Sequence, residues 1–146
     1  MIEMSMSNKK NILFICVQNS ARSQIAEGFF TKYANGRITC VSAGTVPSHK
    51  VNPDAVAVMG EVGIDISTNK PKILTEEMID RASIIIKMGC MDNNSCPVAL
   101  LKTSKTMQDW GIEDPKGKSL ARMREIRDQI ERKVLDLILR SEKLIA

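Results

Sequence analysis

Aromatic residues, histidine and long apolar runs are all scarce in this sequence of 146 residues. Phe, Tyr and Trp make up only 3% of the chain, and no basic-aromatic cluster appears, which argues against nucleic-acid binding. No apolar run approaches the roughly 20 residues that cross a bilayer. The amino terminus also lacks the apolar segment of a signal peptide. We therefore expect a cytoplasmic protein that binds neither nucleic acid nor membrane.

One histidine, His49, accompanies four cysteines. In a reducing compartment, cysteines are more often catalytic, metal-binding or inert than paired in structural disulfides. Cys90 and Cys96 could be loop thiols without a role, half of a zinc site, or a redox pair. A zinc site needs about four ligands, and His49 is far from both in sequence, so we favour redox chemistry and predict neither metal nor cofactor. Cys40, inside the segment RITCVSA, is predicted to be an inert core residue.

Internal repeats and low-complexity linkers are also missing, so we predict one domain, 1–146, with residues 1–10 as a flexible lead. Strands are predicted for the segments NILFICV, RITCVSAG, SIIIKMG and, more weakly, KTMQDW. Helices are predicted from about 20 to 34, from Asn52–Pro53 to near Gly63, over TEEMIDRA, and from Ser119 to the end. This alternation predicts an α/β fold of three layers, in which helices flank a four-stranded parallel sheet.

Sites in such sheets lie at the carboxyl ends of the strands. Cys16, the 89–96 loop and the 111–117 loop each follow a predicted strand. We therefore expect them to meet at one rim of the sheet.

The segment CVQNSARS, from Cys16 to Ser23, has the composition of an anion-binding loop. Its backbone N–H groups can turn inward at the positive end of the following helix, and Arg22 can hold two oxygens of a tetrahedral oxyanion. Positive charge and a hydrogen bond from Ser23 would lower the pKa of the Cys16 thiol, and Asn19 tolerates a left-handed turn. The predicted oxyanion-binding residues are Val17, Gln18, Asn19, Ser20, Ala21, Arg22 and Ser23. The alternative is that Cys16 merely ends a strand and Arg22 is a surface residue.

This loop resembles the phosphate loop of the low-molecular-weight protein tyrosine phosphatases, and NSARSQIAEGF is similar to the arsenate reductases of that fold. The resemblance continues through VSAG, VNPDAV, GIDIS, WGIEDP and the last helix. It implies a flavodoxin-like fold and a catalytic Cys16 that attacks arsenate, with phosphate or sulfate as mimics. It also implies that Cys90 then attacks Cys16, that Cys96 attacks Cys90, and that thioredoxin or a similar dithiol protein reduces the resulting disulfide.

Asp114 in WGIEDP matches the general acid of the family, which protonates the departing oxygen. The same residues could equally form a simple polar turn. Family phosphatases usually follow this Asp-Pro with tyrosines that bind an aromatic substrate, whereas KGKS follows here. This difference argues against a phosphotyrosine protein as substrate.

Two other functions stay open at this point. The first is a phosphatase whose extra cysteines protect Cys16 by a reversible disulfide. The second is a non-catalytic module that binds an oxyanion or a phosphorylated protein.

Some reductases of this family hold potassium beside the loop, and Asn19, Glu27 and Ser42 match ligands of that site. The segment STNKPK supplies Lys72 where an acidic residue is expected, so we predict that an ammonium group takes the place of the ion. The alternative is that Glu27 is a solvated helix residue and Ser42 a strand-end hydroxyl.

Overall fold

The computed structural model describes residues 10–89, 103 and 105–145, with residues 142–145 described by their backbone alone. Within these residues the chain forms four strands and four helices. In chain order they are β1 Asn11–Cys16, α1 Arg22–Ala34, β2 Thr39–Gly44, α2 Pro53–Glu61, α3 Glu76–Arg81, β3 Ile84–Lys87, β4 Thr106–Asp109 and α4 Leu120–Ile145. Each predicted strand and helix is present, and α1 begins two residues later than predicted because the loop before it extends to Ala21.

The four strands form one parallel sheet in the order β2-β1-β3-β4. The first strand is therefore central, and the carboxyl ends of all four strands lie at one edge. In this register Cys16, the last residue of β1, is the partner of Gly44, the last residue of β2. The sheet thus brings the predicted nucleophile to the rim, next to a glycine.

Helices cover both faces of the sheet, which confirms the predicted three-layer α/β fold. Successive side chains of a strand point to opposite faces. Ile12 and Phe14 pack in the larger core with α1, α2 and α4, while Leu13 and Ile15 pack in the smaller core with α3. These four side chains are completely buried, as expected for a strand that helices cover on both sides.

The helix starts follow the predicted capping residues. The Asn52 carboxamide accepts hydrogen bonds from the N–H groups of Asp54 and Ala55, and Thr75 Oγ1 accepts one from Met78. In α4 the predicted apolar face is buried at Met123, Ile126, Ile130, Val134, Leu137 and Ile138. Leu120, predicted on the same face, is 38% exposed at the first turn of the helix.

The described part of the chain contains no helix with the length and apolarity that a membrane span requires. At the amino end, the Lys10 carbonyl accepts hydrogen bonds from the backbone N–H and the hydroxyl of Thr39, at 3.1 and 3.2 Å. Lys10 is therefore attached to the sheet rather than part of a flexible lead. Residues 1–9 lie outside the described residues.

Candidate active site

The loop 17–21 connects the end of β1 to the start of α1 and contains the predicted anion-binding backbone. Asn19 has a φ angle of 52°, the left-handed conformation expected for this asparagine. The helix begins directly afterwards, with the N–H of Ile25 donating to the Ala21 carbonyl at 2.8 Å. The sequence therefore folds as a strand, a tight turn and a helix, with Cys16 and Arg22 at its two ends.

The sulfur of Cys16 is buried and has two hydrogen-bonding neighbours in the loop and helix. The Ser23 hydroxyl lies 2.9 Å from it, and the backbone N–H of Asn19 donates to it at 3.2 Å. Both groups stabilise a negative charge on sulfur. The predicted contact between Ser23 and Cys16 is thus confirmed.

Arg22 is only 7% exposed and reaches across to the loop 111–117. Its Nη1 donates to the Ile112 carbonyl at 2.9 Å, and its Nη2 lies 3.9 Å from Asp114 Oδ1. The alternative of a surface arginine is therefore wrong. The guanidinium connects the anion-binding loop to the loop of the predicted general acid.

Two further contacts hold the 111–117 loop against the sheet. The Ile112 N–H donates to the Met88 carbonyl at 3.1 Å, and Gly89 approaches Ile112 so closely that a Cβ would lie 2.6 Å from its nitrogen. Glu113 forms an ion pair with Arg122, which holds the pKa of the Glu113 carboxyl below its usual range. Asp114 itself is exposed, and its Oδ1 accepts the N–H of Lys116 at 3.0 Å.

A depression of about 230 Å³ lies between the two loops. Its lining consists of Cys16, Val17, Gln18, Ser20, Ala21, Arg22, Asp114, Pro115 and Lys116. Asn19 and Ser23 are wholly buried and are not among the lining residues. The structure therefore brings the predicted nucleophile, guanidinium and acid to one site, with Asn19 and Ser23 supporting the loop.

Residues 11–145 match the family model described as low molecular weight phosphotyrosine protein phosphatase. This protein belongs to that family. An arsenate reductase from Brevibacillus brevis is 37% identical over 125 residues, which cover 86% of this chain and 91% of the relative. Arsenate reductase 2 of Staphylococcus haemolyticus is 35% identical over 124 residues, or 85% of this chain and 92% of the relative.

Solved structures of arsenate reductases share the fold of this protein and about a third of its aligned residues. A structure described as an arsenate reductase in the phosphate binding state has a TM-score of 0.77 at 36% identity, covering 90% of this chain and 98% of that one. A thioredoxin-dependent arsenate reductase of Corynebacterium glutamicum has a TM-score of 0.76 at 32% identity, covering 94% of this chain and 64% of that one. The likeness thus extends beyond the anion-binding loop to nearly the whole chain.

A second depression, of about 240 Å³, adjoins the first in this phosphatase-family member. It shares Gln18, Asp114 and Lys116 with the first and adds residues of the 48–53 segment, Lys50 among them. The described residues that line it include two lysines and no aromatic ring. The described residues beside the predicted nucleophile therefore supply two ammonium groups and one carboxylate, and no ring on which an aromatic substrate could stack.

The other cysteines differ in their positions. Cys90 and Cys96 lie outside the described residues. Cys40, on β2, is half-buried with its sulfur 3.4 Å from Thr31 Oγ1, and burial raises the pKa of its thiol to about 12. Such a thiol is protonated at neutral pH, as predicted for an inert residue. No cluster of three or more potential metal ligands occurs within residues 10–89, 103 and 105–145.

Glu27 and Lys72 form an ion pair beside the loop, with Lys72 Nζ 3.9 Å from Glu27 Oε1. The Glu27 carboxylate also accepts hydrogen bonds from the backbone N–H and the hydroxyl of Ser42, both at 3.1 Å. The interpretation of Glu27 as a solvated helix residue is therefore wrong, because a strand and a loop both contact it. The Lys72 ammonium contacts Glu27, one of the three residues that match the potassium ligands, and its replacement of the ion stays a prediction.

Sequence reasoning missed Gln24, which contacts the anion-binding loop outside the lining of the depression, and Asn69, which contacts Gln24. Gln24 is wholly buried and donates to Asn19 Oδ1 at 3.1 Å, while Asn69 donates to Gln24. The one available signal was a glutamine placed directly before the buried Ile25, in the first turn of a helix that packs on the sheet.

Proposed function

We propose that this protein reduces arsenate to arsenite by a relay of three cysteines, with thioredoxin or a similar dithiol protein as electron donor. The observation that carries the proposal is the Cys16 sulfur, which lies at a small depression with Arg22 beside it and the Asn19 N–H directed at it. The arsenate reductases among its relatives, one of them in a phosphate binding state, support a tetrahedral oxyanion as the ligand.

In the first step, the thiolate of Cys16 attacks arsenic. A sulfur–arsenic bond forms, an arsenic–oxygen bond breaks, and the departing oxygen takes a proton from Asp114. The guanidinium of Arg22 spans two of the remaining oxygens, and the loop N–H groups stabilise their negative charge. Because Arg22 already contacts the Asp114 loop, oxyanion and acid are held near each other.

The two electrons that reduce arsenic come from the cysteine sulfurs in the second step, and the third step moves the resulting disulfide. Cys90 attacks the Cys16 sulfur, so a disulfide forms, the sulfur–arsenic bond breaks, and its electron pair leaves with arsenic as arsenite. Cys96 then attacks Cys90 and releases the Cys16 thiolate, and the dithiol donor reduces the Cys90–Cys96 disulfide. This part of the proposal rests on the resemblance in sequence, and a reducing cytoplasm is the compartment it requires.

Hydrolysis of phosphate esters at the same site is the second candidate function, and membership of a phosphatase family favours it. The described lining of the second depression contains no aromatic ring on which a phosphotyrosine could stack, which argues against a phosphotyrosine protein. We expect at most slow hydrolysis of small aryl phosphates. A non-catalytic oxyanion-binding module is the third candidate, in which Cys16→Ser would retain binding.

The test is NADPH consumption in a thioredoxin and thioredoxin reductase system, with and without arsenate. Arsenate-dependent consumption is expected in the wild type and should disappear in Cys16→Ser and in Cys96→Ser. Cys40→Ser is the matched control, since this thiol is protonated and lies on β2, and it should keep wild-type turnover.

Each alternative has its own result. Steady aryl phosphate hydrolysis without arsenate-dependent NADPH consumption would make the protein a phosphatase. If Cys16→Ser binds phosphate as tightly as the wild type, and neither reaction occurs with several thioredoxins, the protein is a binding module. Full arsenate-dependent activity of Cys96→Ser would refute the three-cysteine relay but would still support arsenate reduction.

A further inference from the structure

A buried chain of amide side chains contacts the anion-binding loop outside the lining of the depression. Gln24 Nε2 donates to Asn19 Oδ1 at 3.1 Å, to the Asn19 carbonyl at 3.2 Å and, at 3.5 Å, to the Lys70 carbonyl. Its Oε1 accepts a hydrogen bond from Asn69 Nδ2 at 3.1 Å. Gln24 and Asn19 are both completely buried, so water does not compete for these contacts.

The orientation of both amides follows from the chemistry of their partners. The Lys72 backbone N–H is only a donor, and it lies 2.9 Å from Asn19, so the atom facing it is Oδ1. The Asn19 and Lys70 carbonyls are only acceptors, so the Gln24 atom that faces them is the nitrogen. Exchanging the oxygen and nitrogen of either carboxamide would place a donor against a donor or an acceptor against an acceptor.

This orientation determines how Asn19 meets the Ser23 hydroxyl. Asn19 Nδ2 faces Ser23 Oγ at 2.7 Å and donates to it. The hydroxyl keeps its one hydrogen and a second lone pair, and the Cys16 sulfur lies 2.9 Å away. Because a thiolate has no hydrogen to donate, the bond to an ionised Cys16 uses the Ser23 hydrogen, and the hydrogen bond from Asn19 polarises that hydroxyl. Together with the Asn19 N–H, the sulfur then receives two hydrogen bonds, as a thiolate does.

We infer that Gln24 and Asn69 are positioning residues that fix the Asn19 carboxamide and thereby strengthen Ser23 as a hydrogen-bond donor to the Cys16 thiolate. Without Gln24, Asn19 Oδ1 keeps the Lys72 N–H alone, and the carboxamide can rotate away from Ser23. The hydroxyl then loses the hydrogen bond that polarises it and becomes a weaker donor to the thiolate. The inference rests on the proposed function only in that Cys16 is the nucleophile there.

The experiment measures the rate at which iodoacetamide alkylates Cys16 between pH 4 and 10, resolved by mass spectrometry of the Cys16 peptide. It uses the full chain and needs no substrate. Ser23→Ala should raise the midpoint by about one pH unit, which corresponds to one lost hydrogen bond. Gln24→Met, of similar size, should raise it by about half a unit or more, and Asn69→Ala in the same direction.

The decisive variant combines Gln24→Met with Ser23→Ala. Because Gln24 acts through Ser23, it should shift the midpoint by less than about 0.2 units once the hydroxyl is gone. Gln129→Met, at a half-buried position of α4, is the matched control and should leave the midpoint unchanged. Circular dichroism checks the fold, and Asn69→Ala carries the test if Gln24→Met does not fold.

Two results would overturn the inference: unchanged midpoints in Gln24→Met and Asn69→Ala, or a full additional shift of Gln24→Met in the Ser23→Ala background. The outcome is independent of arsenate reduction. A protein without reductase activity that shows these shifts would refute the proposed function alone. An active reductase without them would refute the inference alone.

Discussion

Gly44 is the position at which one added methyl group tests the architecture of the site most directly. It ends β2 beside Cys16, and a Cβ there would lie 2.5 Å from the Val17 carbonyl oxygen and 2.9 Å from the Asn19 nitrogen. Both atoms belong to the backbone of the anion-binding loop, so no side chain can turn aside. Gly44→Ala must therefore displace the loop itself.

The size of the effect follows from these distances. Ordinary van der Waals contact begins near 3.4 Å, so the Val17 carbonyl has to retreat by about 0.9 Å. Overpacking of this kind costs about 1–3 kcal/mol of the free energy of unfolding. A displacement approaching 1 Å at a catalytic loop lowers kcat/KM by up to about 100-fold. We expect a loss of about 2 kcal/mol and a 10- to 100-fold loss of arsenate turnover.

Urea denaturation followed by the fluorescence of Trp110, the single tryptophan, measures the first quantity, and the thioredoxin-coupled assay measures the second. Gly60→Ala is the matched control, because Gly60 lies in α2 with nothing within 4 Å of its added Cβ. That variant should gain up to about 1 kcal/mol from helix propensity and keep its activity. Equal stability and activity of the two variants would refute the reasoning.

Three further predictions concern single side chains. Arg22→Lys should lower kcat/KM about 10- to 100-fold, because a lysine loses the second oxygen contact and the hydrogen bond to Ile112; steady-state kinetics within twofold of wild type would contradict this. Asp114→Asn should lower turnover by about 10²–10⁴ and leave the inhibition constant of phosphate unchanged; a parallel loss of phosphate binding would contradict a role as acid. Above about pH 9, unfolding lets the Cys40 thiol ionise, whereas burial keeps its pKa near 12 in the fold, so the free energy of unfolding should fall between these pH values. Urea denaturation at pH 7 and 10.5 should show that the free energy of unfolding falls less in Cys40→Ala than in the wild type. The difference should be at most about 1.4 kcal/mol for each pH unit above about 9, and an identical fall in both proteins would contradict this.

The sequence predicted the elements and the rim of the site because their signals are local. The apolar run before Cys16 predicts a buried strand and the Asn52–Pro53 pair predicts a helix start, each from a few neighbouring residues. Both predictions are confirmed. The meeting of Cys16 with the 111–117 loop follows from parallel strands that end at one edge, and it too is confirmed. Residues 90–96 of the third segment expected at this rim lie outside the described residues.

The support of the site could not be predicted in the same way. Asn69 and Lys72 are about 50 residues from Asn19, and the resemblance that indicated the Lys72 ammonium beside the loop says nothing of Asn69 or of the Lys72 backbone N–H. Their contacts depend on the path of the chain back to the end of β2, where Ile73 pairs with Gly44. Hydrogen bonds between distant polar residues carry no periodicity, so only the three-dimensional structure shows them.

The start of α1 is the place where the proposed oxyanion would contribute to the stability of the fold. Helices α2 and α3 satisfy their first N–H groups with Asn52 and Thr75, whereas no described side chain accepts a hydrogen bond at the N-cap Ala21 of α1. The proposed oxyanion would serve as that cap, and at 100 times its dissociation constant it would add about 2.7 kcal/mol to the free energy of unfolding. On the proposed function, phosphate, which has the same tetrahedral shape as arsenate, would then stabilise the folded chain and compete with arsenate for the same hydrogen bonds.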